Sequence, residues 1–459
     1  MTRTAPRSDQ PGQGEGTSAA GGGSVDSRVP PARLVLLGVQ HVLAMYTGCV
    51  TVPLVFGAAA GLSTSTVGLL IDADLLVAGV ITLIQSLGIG KLLGVRLPVV
   101  AGATFTALTP MILIAKQYGL PAVYGSMLAA GVFGLLVAVP FARAIRFFPP
   151  LVSGVVIVVI GLSLIGVAAG LIAGQDPTAK DYATPSHLAL ALGIVVFIVL
   201  INRLNRGFLA QIAVLLGLVI GTLVAIPMGL TDFSSVGGAH AFGITAPLHF
   251  GAPQFPIAAV ISMCVVMLVT FTESTASMIA VSEMTGKQLS TMDFARGLAT
   301  EGVSSVLGGL MNSFMDTLFG QNVGLVQMTR VRSRYVTAVT GGILVVLGLI
   351  PKLGAVVASL PTPVIGAAGL VMFAMVTTIG INTLRKVEFG GNSNLLIVAM
   401  SIGIGMLPVV APSIYQHLPT WVQIIAGSAI TSATIVAFAL NLLFNHTGRR
   451  RPAEQPDVG

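Results

Sequence analysis

Fourteen apolar segments succeed one another along this chain, near 34–57, 71–90, 98–115, 121–142, 150–173, 186–201, 209–229, 256–282, 294–311, 314–328, 335–358, 361–381, 393–410 and 421–444. That succession constrains the fold more than any other feature. A helix crossing the hydrocarbon core of a bilayer needs about 20 apolar residues. Lipid offers the backbone no hydrogen-bond partner, so only self-satisfying helices and closed barrels cross it. Composition points the same way: mean hydropathy is +0.94, with 54% hydrophobic and 8% charged residues, far from a soluble domain. The expected fold class is an all-α polytopic membrane protein with fourteen transmembrane segments, its 459 residues divided by spans rather than by soluble domains.

The formal net charge of +7 would suit a nucleic-acid partner, but the positions of the charges argue against one. With the N-terminus inside, the inward-facing stretches hold Arg3, Arg7, Arg28 and Arg33, then Lys91 and Arg96, then Arg143 and Arg146, then Arg203 and Arg206. They continue with Lys287 and Arg296, Arg330, Arg332 and Arg334, Arg385 and Lys386, and Arg449 to Arg451. Only Lys116, Lys180 and Lys352, of 23 Lys and Arg residues, fall on the other side. Cytoplasmic loops carry such an excess of positive charge, so both termini are expected in the cytoplasm. Residues 1–30, rich in Gly, Ser, Pro and Thr without a following signal-peptide core, are expected as a disordered cytoplasmic tail, and 447–459 as a second one. Cys49 and Cys264 both lie in apolar segments and are expected as buried free thiols.

An internal repeat is faint but ordered. Pro149-Pro150-Leu151-Val152-Ser153-Gly154 opens the fifth segment and Pro361-Thr362-Pro363-Val364-Ile365-Gly366 the twelfth. The third segment, with Gly102-Ala103-Thr104-Phe105-Thr106-Ala107, is as polar and small as the tenth. Seven spans separate the members of each pair. An odd repeat length inverts the second copy, as in many transporters.

The tenth segment carries Phe319-Gly320-Gln321-Asn322-Val323-Gly324-Leu325-Val326-Gln327-Met328-Thr329-Arg330, two adjacent amides and a glycine pair among apolar spans. Gly-interrupted polar stretches at membrane depth mark substrate sites, because irregular backbone survives there only around a buried site or cavity. Glu273 lies well inside the eighth segment, where a carboxylate is costly and function is the default reading over a structural hydrogen bond. Glu301 in the ninth is either a proton carrier or a brace. Asp316 starts the tenth and reads as a half-helix cap or a surface residue before a direct role. Gln40 and His41 form a polar pair in the first, suited to ordering a site by hydrogen bonds; no second ligand stands at metal spacing. Asp72 and Asp74 read as solvated residues at the outer end of the second segment. No phosphate-binding loop, nucleophile elbow or metal-spaced cluster appears, so neither ATP-driven transport nor an enzyme is supported.

Gln321-Asn322-Val323-Gly324 followed by Thr329-Arg330 resembles the signature of the nucleobase–ascorbate transporters, or nucleobase:cation symporter-2 family. Gln40-His41, Glu273 and Glu301 are similar to that family's first-span pair, eighth-span carboxylate and ninth-span acid, and the likeness covers the chain beyond residue 30. Gln321, where uracil carriers have Glu, resembles the xanthine and urate branch. The resemblance implies two inverted repeats of seven spans. Core domains would cover 31–147 and 253–358, gate domains 148–252 and 359–446, with short strands and half-helices in segments 3 and 10. Substrate would sit between those half-helices, on Glu273, Gln321 and the backbone of Phe105 and Gly320. Asn322 would brace the loop, and Glu301, His41 and Gln40 would order the site or tune proton coupling. Two departures bear on the substrate: Ala276 and Ser277 stand where a further acid or glycine is frequent, and Asp316 where an aromatic residue is usual.

The function expected is proton-coupled import of xanthine or urate across the plasma membrane by an elevator-like movement, by a homodimer, with no cofactor and no metal. Sodium coupling, a uracil or other nucleobase substrate, and an anion carrier of the same fold are the alternatives. A channel would need repeated polar pore stripes, and a membrane enzyme a nucleophile, metal or cofactor set.

Overall fold

The computed structural model describes residues 24–145, 150–174, 179, 182–390 and 393–446. It is mostly helical. The first half comprises α1 (Pro31–Ala59), α2 (Thr64–Leu87), β1 (Ala101–Ala103), a 3-10 turn Phe105–Ala107, α3 (Leu108–Tyr118), α4 (Leu120–Ala144), α5 (Pro150–Ala173), α6 (Pro185–Leu204), α7 (Phe208–Gln211), α8 (Ala213–Ala225) and α9 (Ser234–Gly238). The second comprises α10 (Ile257–Thr285), α11 (Thr291–Met311), β2 (Asp316–Leu318), α12 (Gly320–Thr329), α13 (Arg334–Gly348), α14 (Pro351–Ala358), α15 (Thr362–Leu384), α16 (Asn394–Val410), α17 (Thr420–Gly427) and α18 (Ala429–Asn441). Among the described residues, seven helices are long and apolar enough to cross a membrane, or nine if each of two bent pairs is one span. The chain is a polytopic membrane protein.

Helix ends follow local chemistry. Ser63 caps α2, its Oγ accepting from the Thr66 N–H at 3.2 Å. Ser290 and Asp293 cap α11 reciprocally, which satisfies two of the backbone donors a helix start leaves open. Pro residues open α1, α4, α6, α14 and α15, where the missing N–H removes nothing. Two apolar segments expected as single pieces are broken. α13 and α14 meet at 81°, with Pro351 at the bend, and α17 and the helix after it at 78°, where Ser428 caps α18. The segment 209–229 is likewise divided into α7 and α8 at Ile212.

β1 and β2 are antiparallel, with Ala101 opposite Leu318, Gly102 opposite Thr317 and Ala103 opposite Asp316. The half-helices α3 and α12 therefore leave the strand pair in opposite directions, each presenting its N-terminal side toward the middle of the molecule. The irregular backbone expected over 319–330 lies instead before it, in 312–319, because Gly320–Thr329 is helical. Gly102 permits the crossing: a Cβ there would strike the Phe319 ring and Cys49 Sγ.

The helices pack in two sets. α4 lies on α11, and α2 on α13 and α14, whereas α5 lies on α15 and α18, α6 on α8 and α15, and α16 on α18. At the α4–α11 crossing, a Cβ on Gly131 would meet Val306 N at 2.7 Å; small residues of this kind let membrane helices approach closely. Residues 24–30 are not a free tail. The Arg334 N–H donates to Val25 O at 3.0 Å, Ser333 Oγ donates to Ser27 O at 2.6 Å, and the Arg334 guanidinium pairs with Asp26. Residues 1–23, the tail 447–459 and the 147/148 boundary lie outside the described residues.

Candidate substrate-binding site

α10 crosses the strand pair and stitches both strands to itself. Glu273 accepts from Thr106 Oγ1 at 2.7 Å and from Thr104 Oγ1 at 3.3 Å, on the β1 side. One residue on, Ser274 Oγ accepts from the Leu318 N–H at 3.2 Å and shares a 3.2 Å hydrogen bond with Thr317 Oγ1, on the β2 side. One turn further, Ser277 Oγ donates to Leu318 O at 3.1 Å. Thr104 also accepts from the Thr106 N–H at 3.1 Å and so caps the turn that begins the first half-helix. A carboxylate is acceptor-only, and these two hydroxyls fix Glu273 so that its remaining lone pairs can face a ligand.

A cavity of about 170 Å³ opens at this crossing, smaller than the ~300–1,000 Å³ sites of drug-sized ligands. Its polar wall is Thr104, Thr106, Glu273, Thr317 and Gln321; Ile157 and Ile160 of α5 and Val376 and Ile379 of α15 close the other side. Phe105 lines it and packs edge-on against Phe373 of α15, ring centroids 5.4 Å apart. Gly320 and Gln321 begin α12, whose N-terminus no side chain caps. Its first N–H groups and positive dipole end therefore face the cavity, as at known anion-binding helix ends. Among the described residues the Gln321 amide has no hydrogen-bond partner within the chain, which leaves a donor and an acceptor for a ligand.

Glu273, Gln321, Phe105 and Gly320, named from the sequence as substrate contacts, thus share one cavity. The other four do not line it. Asn322 Nδ2 donates to His41 O at 3.0 Å and lies 3.0 Å from His41 Nδ1, bracing α12 against α1. Glu301 accepts from Gln85 Nε2 at 3.1 Å, and Gln85 also donates to Gly297 O and accepts from the Val95 N–H, tying α2 to α11. Gln40 is half-buried on α1.

Three acids stand elsewhere than expected. Asp72 and Asp74 are 3% and 0% exposed, not solvated, because α2 begins seven residues before the apolar segment and places them inside the bundle. Asp316 caps no helix and is not on the surface. It is buried in β2, accepting from Ser304 Oγ at 2.7 Å while its own N–H donates back to Ser304 at 3.3 Å. The hydroxyls of Thr104, Thr106 and Thr317 were missed as site residues, although the polar third segment pointed to the first two. Nothing in the local sequence marks Ile157, Ile160, Val376 or Ile379, which reach the cavity only by packing.

Residues 32–414 match a family described as a permease family, the one holding xanthine and uric acid permeases. The chain belongs to it. This is the nucleobase:cation symporter-2 family that its motifs resemble. It is 42% identical to the uric acid transporter UacT of Escherichia coli over 92% of this chain and 88% of that one. With the xanthine permease of Bacillus subtilis it shares 40% over 91% and 95%. The transmembrane domain of the cyanobacterial bicarbonate transporter BicA has a similar fold, with a TM-score of 0.60 at 14% identity over 92% of this chain and 98% of that domain. The protein is accordingly a multi-pass membrane permease and not an enzyme. Glu273 on α10 and Gln321 at the start of α12 line one cavity of this permease, beside Thr104, Thr106 and Thr317.

Proposed function

We propose that the permease imports a purine base, xanthine or urate, together with protons across the plasma membrane. The observation that carries this reading is the single cavity in which a fixed carboxylate, Glu273, and a free amide, Gln321, stand beside the uncapped N-terminus of α12. An imide edge needs a donor and an acceptor side by side, which the amide supplies; ring N–H groups need an acceptor, which Glu273 supplies. Ring carbonyls suit the backbone N–H groups at Phe105 and Gly320, and the apolar side chains of α5 and α15 suit the ring faces. The names of the relatives agree with this choice. Within the motif, Asn322 and His41 hold the α12 start in place, and Glu301 braces α11.

In this reading the chain spans the membrane fourteen times, as two inverted sevens with both termini cytoplasmic; the opposed half-helices and their antiparallel strands support it. Residues 31–147 and 253–358 form a core domain that carries the cavity and slides against a gate of 148–252 and 359–446, a motion suited to a site walled by two helix sets. Two copies pair through their gates. Glu273 takes up a proton in the dry closed site and releases it when the site meets cytoplasmic water.

Radiolabelled uptake into cells lacking their own permeases tests this, with and without a protonophore. Xanthine or urate uptake abolished by the protonophore is the expected result; sodium-dependent uptake that survives it overturns proton coupling, and uracil uptake alone overturns the substrate. The fold likeness to a bicarbonate transporter favours one rival, an anion carrier. Bicarbonate presents no ring for the apolar walls of α5 and α15 to cover, and bicarbonate uptake without purine uptake would reinstate that rival.

A further inference from the structure

We infer that Asp74 and Asp316 share one proton, forming a second proton-binding site behind the strand pair that sets the pH dependence of transport. Neither residue lines the cavity. Both carboxylates are buried, at 0% and 1% exposure, and both border the segment that leads into β2: Ser313, which bonds Asp74, stands three residues before Asp316. Each has one oxygen held by a hydroxyl, Ser313 Oγ donating to Asp74 at 3.2 Å and Ser304 Oγ to Asp316 at 2.7 Å. The other oxygen of each, Asp74 Oδ2 and Asp316 Oδ1, is buried without a partner among the described residues.

Among the described residues, no Lys, Arg or His forms an ion pair with either carboxylate. From α1 the Cys49 thiol reaches Asp74, from α4 the Tyr124 hydroxyl lies within its field, and from α11 Glu301 lies within that of Asp316. Tyr124 is itself buried with its hydroxyl unpartnered, a donor left without an acceptor. The ion pairs among the described residues, Arg296–Asp293 and Arg334–Asp26, are elsewhere. Two like charges buried together without a counter-ion do not both persist; one takes up a proton.

The pair is joined to the cavity through the backbone. Asp316 directly precedes Thr317 and Leu318, which line the cavity and bond to α10. Losing the shared proton places a second charge beneath that strand, so proton occupancy and the strand's position are linked.

The test is an infrared pH titration of the purified protein, followed by purine uptake across pH in the same variants; the uptake arm rests on the function proposed above. Wild type is expected to show a titrating carboxylic-acid carbonyl band that Asp316→Asn and Asp74→Asn each lack. Uptake by Asp316→Asn persists about tenfold above wild type one pH unit beyond the wild-type alkaline midpoint, with KM unchanged. Ser304→Ala, a milder change that keeps both acids, loses a donor to the ionised form and moves band and uptake limb upward by about one pH unit. The same band in wild type and in either Asn variant overturns the site, as does an unmoved band in Ser304→Ala where the Asn variants do not fold. A band lost with the uptake profile unchanged overturns the coupling. Absence of purine uptake in wild type would instead count against the function, and the infrared arm would still decide the proton.

Discussion

Glu273 is held by two hydroxyls of unequal reach, and the difference makes a prediction. Thr106 Oγ1, at 2.7 Å, supplies the shorter bond and Thr104, at 3.3 Å, the weaker. A hydrogen bond to a charged group contributes about 1.5–3 kcal/mol, so Thr106→Val is expected to raise KM for the purine by at least about tenfold, and Thr104→Val by less. Kinetics of labelled uptake checks both. Gln321→Glu removes the donor half of the amide and adds a charge; xanthine uptake is expected to fall by about 10- to 100-fold, measured in the same assay. Asn322→Ala acts on stability instead. It leaves buried groups of His41 unpaired and is expected to destabilise by about 1–3 kcal/mol, read as a lower melting temperature of the purified protein. These residues were legible because an ionised or amide side chain is expensive at membrane depth. Thr104 and Thr106 were harder to single out, because a hydroxyl bonds its own helix cheaply and occurs throughout membrane spans.

At the scale of elements, the strand pair organises the site. Its register brings Thr104 and Thr317 to one α10 face, and its antiparallel sense turns two half-helix N-termini toward one cavity. Gly102→Ala would push the Phe319 ring and Cys49 apart. Overpacking of this kind costs about 1–3 kcal/mol, and the variant is expected to melt at a lower temperature and to lose uptake, both measurable on the purified and reconstituted protein. The apolar pattern located almost every helix but not its breaks. α13 and α14 read as one hydrophobic run because hydropathy records composition, whereas the bend at Pro351 depends on backbone geometry. Asp72 and Asp74 were misplaced for the same reason: counting apolar residues finds a segment's middle, not the polar-started turn with which α2 actually begins.

For the whole molecule, the distribution of Lys and Arg predicts which surfaces face which compartment. Single cysteines replacing exposed Arg206 and exposed Lys352 are expected to differ: an impermeant thiol reagent labels position 352 in intact cells and position 206 only after permeabilisation. Equal labelling at both would overturn the orientation. Membrane residence, the helical class, the order of apolar segments and the chemical type of the main cavity residues were determined by the sequence alone. Their cause is local: transfer to lipid acts on each segment and each charge separately. Which side chains meet was decided only by the tertiary structure. The enclosure of the cavity by α5 and α15, the bracing of α12 by His41 and the hydrogen bond of Ser313 to Asp74 join residues far apart in the chain. Contacts of that kind depend on how helices cross, and no local run of residues encodes them.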